Sequence, residues 1–260
     1  MIVDLLTPLI SARFLAEERY RQGHIRIINA LPDRKILGVH VPEMKNLAKQ
    51  LARRPDVWDI LQGFEREYRA DPTSLYYEEL VVWGLTINVL KCSWEERRLL
   101  LRAFLPVLDN WGVCDTFCCN TKWAARLSRR ELWEFLADYF DSHSEFEVRF
   151  SIVMSMCHLL DAEWLPVVFT RLEALDFSKI SSKYTSSTTS RKHKEASGIV
   201  NGASPYYVRM GVAWLLATAL AKYPEQTRLF VRTATLPEDV KRLYVRKARE
   251  SFRTRNVEPY

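Results

Sequence analysis

The segment DNWGVCDTFCCNTK, residues 109–122, holds the residue types best suited to chemistry, at helical spacing. Its interior carboxylate, Asp115, is set among Val113, Cys114, Phe117 and Cys118. A charge in an apolar stripe is costly unless it has a partner or a task. At 3.6 residues per turn, Trp111, Asp115, Cys118 and Lys122 share one face, which then carries an indole, a carboxylate and an ammonium. Two readings stay open: a half-buried aspartate held in a salt bridge, or a carboxylate that opposes positive charge developing on a substrate. Cys114 and Cys118 are also one turn apart, but no CxxC pair exists, and His143 and His158 do not complete a zinc set. No metal is therefore expected, and the five cysteines read as small buried thiols.

The elements that must position these residues are helices almost throughout. Pro42 stands at the first helical position of Val41–Arg53, and Pro55 separates that stretch from Asp56–Arg69. Tyr77–Lys91 has an apolar face, and Ser93 with Glu96 forms a capping box for a helix reaching about Leu105. The segment of interest reads as one helix, Asn110–Arg126. A second capping box, Ser128 with Glu131, precedes Leu132–Asp141; Phe146–Leu160 and Glu163–Leu175 follow. Tyr206–Lys222, Glu225–Ala234 and Pro237–Phe252 come last.

These helices form pairs at a regular period. First members start near Tyr77, Trp111 and Phe146, at steps of 34 and 35 residues, and the next starts near Tyr206, a step of 60. The excess is the 27-residue tract 178–204, rich in Ser, Thr and Lys and without periodicity. It reads as a flexible insertion, either a solvated loop or, with five basic residues against Glu195, an arm for nucleic acid. A period of this size in helix pairs predicts an all-α, HEAT-like α-solenoid over residues 1–260, with a concave groove lined by the first helices. That groove is expected to hold Glu78, Glu79, Trp83, Lys91, Trp111, Asp115, Lys122, Arg149, Arg209 and Trp214. Glu78 and Glu79 read as charge compensation at a helix N-terminus rather than a paired-carboxylate site. Trp58, Trp94, Trp133 and Trp164 read as packing, and His40 and His158 as ordinary core or surface histidines.

Composition narrows the class. With 48% hydrophobic residues over 260 positions the chain is globular, and eight glycines with no GxGxxG or GxxxxGK[ST] argue against a nucleotide-binding α/β fold. Residues 178–260 hold 16 Lys and Arg against 6 Asp and Glu, whereas residues 1–177 hold 22 against 26. The basic half points to a polyanion, with nucleic acid ahead of a membrane. No apolar run is long enough to span a bilayer, and MIVDLLTPLI reads as a helix start rather than a targeting signal. An odd number of cysteines suits a reducing compartment, hence a cytoplasmic protein, in a bacterial cytosol or nucleoid.

Five stretches in order, LGVHVPEMKNLAKQL, YYEELVVWGLTINVLK, DNWGVCDTFCCNTK, FEVRFSIVMSMCHLLD and YYVRMGVAWLLATALAKYPEQT, resemble the DNA alkylation repair family of HEAT-like glycosylases, the AlkD type. The resemblance implies a site made of Trp111 and Asp115 on one helix, Arg149 on the next inner helix and Trp214 on the following one. It also implies a monofunctional hydrolase, free of cofactor, that breaks the N-glycosidic bond of cationic N3- or N7-alkylated purines. In that chemistry Asp115 opposes the charge of an oxocarbenium-like sugar, Arg149 holds the carboxylate, and both indoles face the deoxyribose. Lys91, Lys122 and Arg209 then bind phosphates of alkylated double-stranded DNA, with a monomeric protein and no membrane partner. Two alternatives keep the scaffold and drop the reaction: a non-catalytic binder of damaged or branched DNA, and a protein-interaction scaffold.

Overall fold

Both capping boxes read from the sequence are made. The Ser93 hydroxyl accepts the Glu96 N–H at 3.1 Å while the Glu96 carboxylate accepts the Ser93 N–H at 2.8 Å. Ser128 and Glu131 repeat the exchange at 3.1 and 3.0 Å. In the computed structural model, residues 2–184 and 205–260 are described, and among them the chain is all-α, a helical-repeat fold with no strand.

The helices divide between two compact units, Met1–Trp123 and Ala124–Tyr260. The first holds α1 (Ile2–Leu6), α2 (Ala12–Ala16), α3 (Glu18–Ile28), α4 (Val41–Leu51), α5 (Val57–Ala70), α6 (Tyr77–Val89), α7 (Trp94–Phe104) and α8 (Trp111–Cys118). The second holds α9 (Arg129–Phe140), α10 (Glu145–His158), α11 (Leu165–Glu173), α12 (Tyr206–Lys222), α13 (Pro224–Thr233) and α14 (Glu238–Glu250). α1 lies in the MIVDLLTPLI stretch that reads as a helix start, whereas α2 and α3 have no counterpart among the helices expected from the sequence.

Periodicity explains the layering. In the first unit α4 packs on α6 and α6 on α8; in the second, α10 packs on α12, and α12 carries α14 on another side. α6 is almost wholly buried, and α10 and α12 bury most of their residues, as helices covered on several faces must. Their partners α5, α7, α13 and α14 bury only a stripe. Arg97 of α7 donates to the carbonyls of Leu90 (2.6 Å) and Ile87, closing the end of α6.

Four residues expected to line a groove are buried instead: Glu78, Glu79 and Trp83 in the first unit and Arg149 in the second. Trp83 is 1% exposed, stacked on Phe64 with centroids 5.5 Å apart and edge-on to Phe104. Glu78, fully buried, accepts the backbone N–H groups of Leu37 (2.9 Å), Gly38 (2.7 Å) and Val39 (3.3 Å), and so fixes the segment that leads into α4. Burial pushes the Glu78 carboxyl up while these N–H groups pull it down. Glu79 accepts the Tyr76 N–H at 3.0 Å, the N-terminal role expected of it. Gly38 has φ of +91°, and a Cβ there would lie 2.2 Å from the Phe14 ring, so a glycine is required on both counts.

Residues 178–184, the start of the tract expected to be flexible, are tied to α10 and α12. Ser181 donates its N–H to the His143 carbonyl at 2.8 Å and accepts from the Glu145 N–H at 3.1 Å, and Tyr184 is buried against Phe146 and Tyr207. Residues 185–204, the remainder of that tract, lie outside the described residues.

Glu145 ties this segment to α12. Its carboxylate accepts from the Ser182 hydroxyl and from the Tyr207 N–H at 2.6 Å. Burial is the main cause that pushes its carboxyl up to about 7, against the hydrogen bonds and Arg149, which pull down. A raised acid binds protons in the folded state that the unfolded chain has released. Its contribution is therefore present below 4.5 and lost as pH rises towards about 7. Urea midpoints should fall over that window, and Glu145→Gln should flatten the fall; a slope unchanged in the variant would contradict this assignment.

Candidate active site

α8 is eight residues long and pinned at both ends by side chains. At its start, Asp109 pairs with Arg34 at 2.7 Å, side chains 2% and 5% exposed, and Arg34 also donates to the Leu75 carbonyl at 2.7 Å. Asn110 is the N-cap: its Oδ1 accepts the Gly112 N–H at 2.7 Å, and its Nδ2 donates to the carbonyls of Ile28 (2.9 Å) and Asn29 (3.3 Å). At the far end, Asn88 donates to the Phe117 carbonyl at 2.9 Å and accepts from Trp123 Nε1 at 2.7 Å. Asn120 and Thr121 donate to the carbonyls of Thr116 (2.6 Å) and Cys118 (2.7 Å).

These last bonds correct the expected helix 110–126. Side chains take the carbonyls that the next turn would need, so the helix stops at Cys118, and Lys122 opens a 3₁₀ turn, Lys122–Arg126. The expected four-residue face contracts accordingly. Cys118 is fully buried with Val113, Cys114 and Phe117. Of that face, Trp111 and Asp115, one turn apart, remain half-buried on α8, as does the neighbouring Thr116.

Gly112 explains the unusual residue after the tryptophan. A Cβ there would stand 2.4 Å from the Tyr77 hydroxyl oxygen and 3.0 Å from Asn110 Oδ1. Tyr77 is buried at the start of α6; burial first, then the charges of Glu78 and Asp115, push its phenol up, so it stays protonated beside the carboxylate. Sequence reasoning missed Tyr77, and the Gly at position 112 was the signal for it. Gly112→Ala gains up to ~1 kcal/mol of helix propensity but loses about 1–3 kcal/mol to overpacking against a buried ring. A net loss of stability, read by thermal unfolding, is expected; a stabilised variant would show that Tyr77 yields freely.

The other predicted residues stand as follows. Lys91 and Lys122 are exposed in the first unit. In the second unit, Arg149 is 3% exposed; its Nη1 donates to the Tyr207 carbonyl at 2.5 Å, and its guanidinium carbon lies 6.0 Å from the Tyr207 ring. The same guanidinium lies along α12 beside Gly211, where a Cβ would stand 3.5 Å from Nη1, an ordinary van der Waals contact. Trp214 is half-exposed on the side of α12 it shares with Met210 and Thr218. Arg209 pairs with Asp239 at 2.8 Å and caps the Phe177 ring at 4.5 Å, so its charge is largely answered within the unit. Trp94 stacks on Trp123, and Trp133 meets Trp164 at a tilt with ring centroids 5.9 Å apart, as packing residues; Trp58 is 37% exposed. Cys119 and Cys157 are exposed, contrary to the expectation for all five thiols.

Among the described residues, no group of three His, Cys, Asp or Glu could hold a metal, and no helix is long and apolar enough to cross a membrane. A cavity of about 470 Å³ in the first unit, lined by Asp4, Arg54, Glu67 and Glu79 among others, contains none of the predicted site residues.

The fold and these residues define an all-α helical-repeat protein that holds an accessible carboxylate and indole on a rigid short helix. The chain belongs to the DNA alkylation repair enzyme family, whose model matches residues 11–252. Its function class is therefore DNA repair, in an enzyme's role with DNA as its partner. Comparison with curated proteins and with solved structures gave no match.

Proposed function

We propose that this chain is a monofunctional DNA glycosylase that hydrolyses the N-glycosidic bond of cationic N3- or N7-alkylated purines in double-stranded DNA. The observation that carries the reading is the half-exposed Trp111–Asp115 pair on a helix fixed at both ends. An alkylated purine is already positively charged, so its leaving needs no proton from the protein. As the C1′–N bond breaks, its electron pair goes to the purine, which departs neutral, and positive charge passes to the sugar. A fixed carboxylate is a charge already arranged for that transition state. Asp115 opposes the sugar cation and orients the water whose oxygen bonds to C1′; the water's proton leaves to solvent, and an abasic site remains.

The Trp111 indole offers its face to the same cationic sugar. By family resemblance alone, Arg149 and Trp214 are further candidates for this chemistry, and Lys91 and Lys122 for phosphates. The same resemblance gives Arg209 a phosphate as well, and its pair with Asp239 at 2.8 Å would hold the guanidinium in place at the start of α12. Because the leaving group is activated, the reaction needs no pocket to read the base.

The charge requirement gives the test. Duplexes carrying 7-methylguanine or 3-methyladenine should release free base on incubation with the protein, whereas duplexes carrying a neutral lesion such as hypoxanthine should not. Comparable release of the neutral base would contradict the proposal, because that reaction demands a base-reading pocket and a proton donor.

A further inference from the structure

The exposed side of α14 and the turn after it form a second feature with an evident ligand chemistry. Val240, Leu243, Tyr244 and Ala248 bury the inner stripe of α14. The outer stripe, at helical spacing, is Arg242, Arg246 and Arg249, all exposed. Arg246 and Lys247 pair with Glu250 at 2.8 and 3.0 Å, and Lys241 reaches Glu238. Arg242, Arg249 and Arg253 have no acidic partner among the described residues.

Between these cations stands Phe252, 86% exposed, the most exposed large apolar side chain of the described residues. The turn that presents it is not loose. Thr254, fully buried, donates its hydroxyl to the Ala248 carbonyl at 2.7 Å and its N–H to the Ser251 carbonyl at 3.1 Å. The Arg255 guanidinium lies 4.8 Å from the centre of the Phe252 ring and covers one of its faces.

We infer that Arg242, Arg249, Arg253 and Phe252 form an accessory contact for a DNA strand carrying an unstacked base, the guanidinium groups on phosphates and the free face of the ring on the base. The charge sets the partner as a polyanion, and a fixed aromatic ring among arginines is the arrangement that grips single-stranded nucleic acid. Bases inside an intact duplex offer no face to such a ring, so the contact favours a nucleotide freed from its stack. This inference rests on the DNA repair reading and extends it to the form of DNA preferred.

Fluorescence anisotropy with a labelled duplex, the same duplex with one bulged nucleotide, and its single strand tests it. Phe252→Ala should weaken binding to the bulged and single-stranded forms about tenfold and leave the intact duplex within about twofold. Arg249→Ser with Arg253→Ser should weaken all three and lower the slope of log K against log salt by about two. Phe252→Ala that changes no form, or all forms equally, overturns the inference. So does binding to phosphatidylserine vesicles that is lost in Phe252→Ala while DNA binding is kept. Wild type that binds intact duplex and releases alkylpurines, but ignores Phe252, defeats only this contact. Wild type that binds no DNA defeats the repair reading as well.

Discussion

Asp115→Asn should slow the release of 3-methyladenine from methylated duplex DNA by about a hundredfold to a thousandfold, the usual cost of removing one fixed group that faces transition-state charge. The amide keeps the shape of the side chain and loses the charge. Thermal unfolding of the same variant separates a loss of chemistry from a loss of fold. Affinity for the duplex should hold or rise, since a negative charge facing phosphates has been removed. A variant as active as wild type would sink the role given to Asp115, and one that fails to bind DNA would show that the residue holds substrate rather than serving the bond-breaking step.

Asp109→Ala should be the most destabilising of the substitutions considered, at about 3–5 kcal/mol, because it leaves the Arg34 guanidinium buried without its carboxylate. That is a large share of the stability of an ordinary domain, about 5–15 kcal/mol. The loss has a consequence for the site: Asp109 adjoins the Asn110 cap, so release of the pair frees the start of the helix that carries Trp111 and Asp115. Urea unfolding of Asp109→Ala, Arg34→Met and the double variant forms a cycle. The double variant should recover much of what Asp109→Ala loses, since an apolar side chain leaves no buried charge. Losses that simply add would show that the two residues act separately.

The legible part of the fold was what is written locally. Two Ser-x-x-Glu boxes, the proline at 42 and the apolar period gave the helices and their recurrence to within a few residues. The end of α8 was also local, since Asn120 and Thr121 are residues that draw carbonyls out of a helix, but their signal was overridden by the apolar spacing that continues to Arg126. What could not be read were bonds between distant segments. Arg34 with Asp109 and Glu78 with residues 37–39 join positions that no period connects. For the same reason Glu78 and Trp83 could be placed on a helix face but not on the correct side of it: a helix buried all round has no polar side to betray its orientation. At the site, Trp111 and Asp115 were legible as a pair one turn apart, whereas Tyr77 was visible only through the glycine that makes room for it.

Single-turnover incubation of the wild-type protein with N-methylated duplex DNA, with free bases separated and quantified against a protein-free control, bears on the glycosylase proposal without intermediaries. Expected is release of 3-methyladenine and 7-methylguanine well above the spontaneous rate, leaving abasic sites in equal number. Release no faster than in the control, by a protein that binds the same duplex, would contradict it.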